Sequence, residues 1–262
     1  MNTKLIEKLG RGDCLKLMKK IPDHSIDMIL CDLPYGTTAC KWDVIIPFEP
    51  LWEQYKRIIK DNGAIALTAS QPFTSKLVMS NIEWFKYSLV WSKNTPTGAV
   101  HAKNKPLKYH EDVLIFSPGT TIHASQSIRR MTYNPQMQVG TPYRKTSRSG
   151  SLTTNINHPA SKANIEYIGT EVINEGYRYP GTIINFTLHN VGLVHPTQKP
   201  VALFEYLIKT YTNEGEIVLD NCAGSGTTGV ACRNLGRGFI LIEKEAEYIE
   251  IIKSRLKEVR RA

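Results

Sequence analysis

The residues Asp32-Leu33-Pro34-Tyr35 bring a carboxylate, a proline-stiffened backbone and a phenol ring together within one short step of chain. They follow Ile26–Cys31 (IDMILC), an apolar run with the length and composition of a strand buried in a parallel sheet. Pro34 disfavours a helical Leu33 and holds it extended, which sets a carboxylate, a main-chain carbonyl and an aromatic ring at the sheet's carboxyl edge. That combination suits one task. An exocyclic amino group on a nucleobase is a poor nucleophile because its lone pair is conjugated into the ring. Two acceptors, the Asp32 carboxylate and the Leu33 carbonyl, gripping its N–H bonds would favour a pyramidal nitrogen. The ring of Tyr35 would stack on a base taken out of the helix. In-line attack on a sulfonium methyl then needs positioning and electrostatics, with neither a metal nor a covalent nucleophile. Taken alone, Asp and Pro at a strand end equally describe an ordinary turn.

A second constellation lies in residues 216–243, EIVLDNCAGSGTTGVACRNLGRGFILIE. Asp220 ends a buried strand, Gly224, Gly226 and Gly229 follow, and Thr227 and Thr228 open a helix. Small residues there let a ligand approach the backbone, at the carboxyl end of the sheet where open α/β folds bind ligands. Glu243 ends the next strand, where it could accept ribose hydroxyls. A Gly-rich turn of this kind also fits a dinucleotide site, and Glu243 also fits a surface acid at a strand end.

The elements needed to position these residues are present in outline. In residues 1–117 strand-like and helix-like runs alternate: Leu51–Ile59 is helical and ends at the turn signal Asp61-Asn62-Gly63, Ala64–Ala69 is a buried strand, Pro72–Ile82 a helix, and Tyr87–Trp91 and Asp112–Phe116 two further strands. Residues 191–262 return to the pattern, with an amphipathic helix over Pro200–Tyr211, strands at Glu216–Leu219 and Phe239–Ile242, and a basic helix around Arg255. The rhythm predicts an open α/β sheet. Residues 118–190 differ: Gly, Pro, Ser, Thr, Asn and Arg accumulate and apolar periodicity fades. Tyr133, Tyr143, Tyr167, Tyr177 and Tyr179 are spread through them, suited either to stacking on bases or to packing a small subdomain.

The net charge of +9 is localised: residues 91–110, 118–190 and 251–262 each carry +4, and the rest sums to −3. A locally basic surface suits a polyanion, and equally the solvation of an ordinary surface. Cys14, Cys31, Cys40, Cys222 and Cys232 form no C-x-x-C pair, so the reading is free thiols in a reducing cytoplasm, with no zinc site and no disulfide framework. No run of about 18 apolar residues appears, which excludes a helical membrane span, and the first residues lack the pattern of a signal peptide.

The segments DLPYG and LDNCAGSGTT, with HPTQKPVALFEYLIKTYT just before the second, resemble the amino-methyltransferases of DNA. The order of tetrapeptide, variable region and cofactor motif is that of the family's β arrangement, which includes many phage and restriction-modification enzymes. The resemblance runs from about Gly12 to Leu256 and leaves the middle unmatched. It implies an open seven-stranded, mostly parallel sheet, the S-adenosylmethionine-dependent methyltransferase fold, carrying an irregular target-recognition insertion. It implies S-adenosyl-L-methionine as cofactor and S-adenosyl-L-homocysteine as product. Asp32 and the Leu33 carbonyl would grip the amino group, with Pro34 and Tyr35 completing the catalytic tetrapeptide. Asp220, Gly224, Gly226, Thr227 and Thr228 would line the methionine and ribose end, and Glu243 would bind the ribose. His195, Thr197 and Lys199 fall in the segment that approaches the methionine part, and Gly12-Asp13-Cys14 in the adenine-contacting turn. The family's tetrapeptide usually reads Asp-Pro-Pro-Tyr, so Leu33 is a departure. Because the second acceptor is a main-chain carbonyl the chemistry survives it, with some loss of rigidity. Asp at the first position leans toward adenine N6, Ser toward cytosine N4.

The middle of the chain would carry target recognition, with Arg129, Arg130, Arg144, Lys145 and Arg148 as phosphate or guanine contacts. Ser92–Lys108, with Lys93, Lys103, Lys105 and Lys108, reads as a flexible basic loop that closes over an extruded base or tracks a DNA strand. The expected partners are duplex DNA, a second copy in a homodimer and a cognate restriction endonuclease, with no membrane. The competing readings are an N4-cytosine enzyme, an RNA or protein amide methyltransferase, a catalytically silent DNA-binding relative and a dehydrogenase.

Overall fold

The computed structural model describes residues 5–38, 40, 42–122, 127, 129–148, 169–187 and 198–259. The chain forms two compact units, Met1–Asn134 with Gly181–Ala262, and Pro135–Pro180.

In the larger unit the elements run β1 (Glu7–Arg11), α1 (Cys14–Met18), β2 (Ile26–Asp32), α2 (Phe48–Ile58), β3 (Ile59–Ala69), α3 (Phe73–Ser80), β4 (Phe85–Thr97) and β5 (Lys108–Phe116). The smaller unit holds β6 (Gln138–Val139), β7 (Tyr143–Arg148), β8 (Gly169–Asn174) and β9 (Tyr177–Arg178). The larger unit resumes with β10 (Ile183–Asn185), α4 (Val201–Tyr211), β11 (Ile217–Asp220), α5 (Thr227–Asn234), β12 (Gly238–Glu243) and α6 (Ala246–Glu258). No helix among the described residues is long and apolar enough to cross a membrane.

The sheet of the larger unit has the order β1-β12-β11-β2-β3-β5-β4-β10. Strand β5 runs antiparallel to both its neighbours and the remaining pairs are parallel. Side chains of β2 divide alternately between two apolar clusters. Met28 and Leu30 pack with Leu203, Leu207 and Ile208 of α4, while Ile29 and Cys31 pack with Leu51, Tyr55 and Ile58 of α2. Helices on both faces account for the unbroken apolar run that marks this strand in the sequence. From β2 the chain moves outward to β3; from β11, its neighbour, it moves the opposite way to β12. The β2–β11 seam is therefore a topological switch point, where the following loops diverge and leave a crevice beyond the strand ends. Asp32 and Asp220 are the last residues of these two strands.

The sheet has eight strands, one more than the seven implied by the resemblance. β1 and β10 are the two strands not read from the sequence, and in β10 Ile184 pairs with Trp91 and is 4% exposed. Three residues are too short for a periodicity signal within a polar stretch. Asp61-Asn62-Gly63 is not a turn but part of β3, which begins at Ile59. A Cβ at Gly63 would lie 2.7 Å from the Ile59 side chain and 2.9 Å from the Asp27 carbonyl. The glycine therefore serves close strand approach beside the register shift between Ile26 and Met28.

The described residues among 118–134, with 181–187, belong to the larger unit, so the compact insertion is narrower than the polar stretch of sequence. Met131 is buried in the core and Asn134 Nδ2 donates to the Lys209 and Thr212 carbonyls at the end of α4. The smaller unit is also more regular than expected: β6 pairs with β9 and β7 with β8, both antiparallel. Its Arg178 guanidinium stacks 4.7 Å from the Tyr143 ring centre. Tyr133, Tyr143, Tyr177 and Tyr179 are all exposed, and Tyr133, in the larger unit, also packs 6.2 Å from Tyr211. Tyr167 lies outside the described residues.

Candidate active site

A cavity of about 510 Å³ opens at the carboxyl ends of β2, β11 and β12 and joins the two constellations found in the sequence. Asp32, Leu33, Pro34 and Tyr35 line one part, and Asp220, Gly224, Thr227 and Glu243 another.

At the first part, Asp32 accepts on Oδ1 from the Tyr35 hydroxyl at 2.7 Å and from the Thr68 hydroxyl of adjacent β3. Its Oδ2 accepts from Lys199 Nζ at 2.7 Å. The rotamer is thus fixed from two sides, with lone pairs left on a carboxylate that lines the cavity. Tyr35 leans one face on Phe73, ring centres 5.2 Å apart and planes inclined 25°. Burial, then Asp32, push its phenol well above the usual range, so it stays a donor. A base can stack only on the face away from Phe73. Leu33 is 3% exposed and sits in the apolar cluster with Leu51 and Phe73. Packing replaces the stiffness that a second proline would give. The loop that follows is held by Asp43, which accepts from the amides of Gly36, Thr37 and Thr38 at 2.7–2.9 Å and from the Thr38 hydroxyl at 2.7 Å.

Lys199 carries more than its predicted part. Its side chain is 8% exposed, and besides Asp32 it faces Glu111 Oε2 of β5 at 3.4 Å. Glu111 Oε1 in turn accepts from Lys93 Nζ of β4 at 2.9 Å. Burial alone would lower the Lys199 ammonium, but Asp32 and Glu111 outweigh it and hold it above its ordinary value. Burial would raise the Glu111 carboxyl, but Lys199 and Lys93 hold it below the usual range. Two anions and two cations alternate, which is the condition for burying ionised groups at tolerable cost.

At the second part, Asp220 is 3% exposed and accepts from the Cys222 amide at 3.1 Å and from the Thr228 hydroxyl. Burial raises its carboxyl to about 7. Glu243 gathers three amides, Gly224 at 2.7 Å on Oε2 and Lys244 and Glu245 at 2.7 and 2.9 Å on Oε1. Burial still leaves its carboxyl raised against these donors. Asp13 caps α1, accepting from the Lys16 amide at 3.0 Å, and lines the cavity with Cys14. Gly12 is tied to the end of β12 through its amide, which donates to the Glu243 carbonyl at 2.9 Å.

The raised Asp220 carboxyl gives a stability prediction. Between the unfolded carboxylate pKa near 4 and about 7 the folded protein keeps a proton that the unfolded chain has lost. Asp220 therefore makes stability fall as pH rises through this window, by about 1.4 kcal/mol per pH unit at most. Thermal melts of the ligand-free protein should show Asp220→Asn becoming progressively more stable relative to wild type from pH 4 to 7. A pH-independent difference would contradict the assignment.

Several expected residues lie elsewhere. Thr228 and Gly226 do not line the cavity. Thr228 is fully buried beneath Asp220, and Gly226, at φ +80°, lets α5 approach Ile252, where a Cβ would lie at 2.9 Å. Lys93 is 5% exposed and paired with Glu111, so it is no DNA contact here; the expectation of a loop rested on charge and position, and the segment is strand. Ser92–Lys108 is not one flexible loop: β4 runs to Thr97, and a short 3₁₀ turn covers Ala99–His101. Lys108 is half-buried and donates to the Ser70 hydroxyl, whereas Lys103 and Lys105 are exposed. Arg129, Arg130, Arg144 and Lys145 are exposed, the first pair in the larger unit and the second on β7. Arg148 ends β7. His195 and Thr197 lie outside the described residues.

Sequence reasoning missed Thr68, Glu111 and Asn221. Asn221 lines the cavity, and its Oδ1 accepts from the Tyr55 hydroxyl at 2.5 Å. A lone hydroxyl within the otherwise apolar run Ala64–Ala69 was the available signal for Thr68. Cys31 and Cys232 are buried, Cys31 with its thiol pushed up to about 12, while Cys14 and Cys222 line the cavity. Among the described residues no group of three or more His, Cys, Asp or Glu is arranged to hold a metal ion.

The sequence pattern of the N6/N4 DNA methylase family matches residues 26–254, most of the chain. The chain belongs to the DNA methylase family. Among its relatives is the type II methyltransferase M.HpaI of Haemophilus parainfluenzae, 28% identical over 265 residues that span 95% of this chain and 74% of that protein. The fold of this DNA methylase is that of the M1.HpyAVI–SAM complex, with a TM-score of 0.62 and 24% identity over 96% of this chain and 99% of that one. It is also that of the PvuII DNA methyltransferase, described as cytosine-N4-specific, with a TM-score of 0.65 and 14% identity over 97% and 87% of the two chains. In this methylase the tetrapeptide precedes the Gly-rich cofactor segment, the order of the β arrangement.

Proposed function

We propose that this methylase transfers a methyl group from S-adenosyl-L-methionine to an exocyclic amino nitrogen of duplex DNA, N6 of adenine, with the target base swung out of the helix. The observation that carries the proposal is the single cavity shared by the Asp32 tetrapeptide and the Asp220–Glu243 segment across the β2–β11 seam.

The donor set fits the cofactor. Asp13, Asp32, Asp220 and Glu243 line the cavity, an acidic wall suited to a ligand with a sulfonium and an ammonium. Asp220 and Gly224 would hold the methionine part, Glu243 the ribose and Asp13 with Cys14 the adenine side. When bound, the cofactor supplies a methyl group activated by positive sulfur. The protein's own residues do the rest. Asp32 and the Leu33 carbonyl accept from the two N–H bonds of the target amine and turn its lone pair out of conjugation. Tyr35 stacks on the base and, through its hydroxyl, keeps Asp32 oriented. Asp32 takes the proton that the nitrogen sheds once it has gained the methyl group. Preorganised acceptors of this kind act where charge develops and need no rearrangement during the reaction.

The smaller unit is proposed to read the target sequence, with Arg144 and Lys145 and the exposed Tyr143, Tyr177 and Tyr179 as the candidate contacts. Lys103, Lys105, Arg129 and Arg130 are proposed to meet phosphates. The aspartate at position 32 supports adenine over cytosine.

The test is transfer of labelled methyl from S-adenosylmethionine to duplex DNA, to RNA and to protein, assayed side by side. Label in DNA alone is the expected result. Label in RNA or protein and none in DNA would overturn the substrate class.

A further inference from the structure

Glu111 is an unusual acid for its position. It lies on β5, two strands from Asp32 across β3, and lines the cavity. Its Oε1 is engaged by Lys93, but its Oε2 is buried and has no hydrogen-bond partner among the described residues. The nearest cation to Oε2 is Lys199 Nζ at 3.4 Å, while the same ammonium bonds Asp32 at 2.7 Å. A buried carboxylate oxygen held only by a long ion-pair contact is costly, and its persistence calls for a role. The ammonium has three donors and a flexible stem, so a shift of well under 1 Å would exchange a long contact for a short one.

We propose that Glu111 is a positioning residue that offers Lys199 a second seat, taken up when Asp32 accepts the proton released by the methylated nitrogen. The inference rests on the amino-methyl transfer proposed above. In the ground state Lys199 pairs with Asp32 at 2.7 Å. As the N–H bond of the methylated nitrogen breaks and the proton passes to Asp32, the carboxylate loses its charge and its hold on the cation. Lys199, keeping all its protons, moves onto Glu111 Oε2. Without that seat the ammonium remains against Asp32 and opposes its protonation. Lys199 is faced by Asp32 from β2 and Glu111 from β5, and its ammonium lies 5.7 Å from the Tyr35 ring. Lys93 and Lys108 act on Glu111 as further cations, and Asp220 and Asp32 repel each other as like charges.

The test is Glu111→Gln in the full chain, which keeps the shape and removes the charge. The expected result is a fall in kcat of about tenfold or more, with the KM for S-adenosylmethionine changed less than about twofold. A solvent deuterium isotope effect on kcat, larger than in wild type, should accompany it because proton removal has become slow. The Lys199 ammonium, followed by NMR in the substrate-free protein, should titrate at lower pH than in wild type. Should Lys93 left without its partner unfold the variant, Lys93→Met with Glu111→Gln restores charge balance and should show the same kinetics. An unchanged kcat would overturn the proposal. So would a fall in kcat with a parallel rise in KM and no added isotope effect, the mark of a merely structural role. If wild type methylates no amine, the function proposed above fails, and the Lys199 titration still reports whether Glu111 holds that cation.

Discussion

Asp32→Ala is expected to slow methyl transfer on the order of 10³-fold, the scale of losing a preorganised electrostatic partner, while S-adenosylmethionine affinity stays within a few-fold. Asp32 is the one carboxylate of the tetrapeptide, and no neighbouring hydroxyl carries the negative charge that would replace it. Thr68 and Tyr35 hydroxyls point donors toward it, and Lys199 has no acceptor at all. The fold should tolerate the change because Lys199 keeps Glu111 as an anionic partner. Cofactor affinity falls only slightly, since Asp220 and Glu243 remain. Isothermal titration and single-turnover kinetics separate the two effects. Full activity in the variant would remove Asp32 from the mechanism, and loss of cofactor binding equal to the loss of rate would make it a cofactor residue.

Lys199→Met should be the most damaging substitution outside the tetrapeptide. It leaves Asp32 without a cation and Glu111 with Lys93 alone. Breaking a buried pair by removing one partner costs about 3 kcal/mol or more, because the remaining charge stays desolvated. With the ammonium gone, Glu111 loses the cation that does most to hold its carboxyl low and binds protons more readily, so the acid limb of the kcat profile should move to higher pH. Stability should drop most at neutral pH and recover partly on acidification, as the carboxylates regain protons. Lys199→Arg should not restore the rate, since a planar guanidinium does not fit the space between two carboxylates set for a point charge. Denaturant melts and pH–rate profiles read both effects. An unshifted acid limb would show that the charge of Lys199 does not govern the protonation of the carboxylates beside it.

The sheet was legible because its strands are buried on both faces. IDMILC and EIVL read as strands from composition alone, and in the structure each strand runs on to the acid that follows, Asp32 and Asp220. The helices read over Leu51–Ile59 and Pro200–Tyr211, observed at Phe48–Ile58 and Val201–Tyr211, were legible for the complementary reason, a stripe of apolar residues facing the sheet. Strand β10 was not, because Ile183–Asn185 is held by pairing with β4 rather than by any local pattern. The site divided along the same line. Asp32, Tyr35, Asp220 and Glu243 stand at strand ends within recognisable segments. Glu111 and Thr68 contribute through cross-strand neighbours far away in sequence, and such partnerships leave no local trace. Charge misled at Lys93, since a lysine in a basic stretch looks exposed until its partner at Glu111 is seen.

The most direct measurement is the identity of the methylated base. Duplex DNA of mixed sequence is incubated with the protein and S-adenosylmethionine, digested to nucleosides and separated by mass spectrometry. The account predicts N6-methyladenine, absent when Asp32→Ala replaces the wild-type protein. N4-methylcytosine in its place would contradict the adenine assignment, and unmodified DNA would contradict the proposed reaction itself.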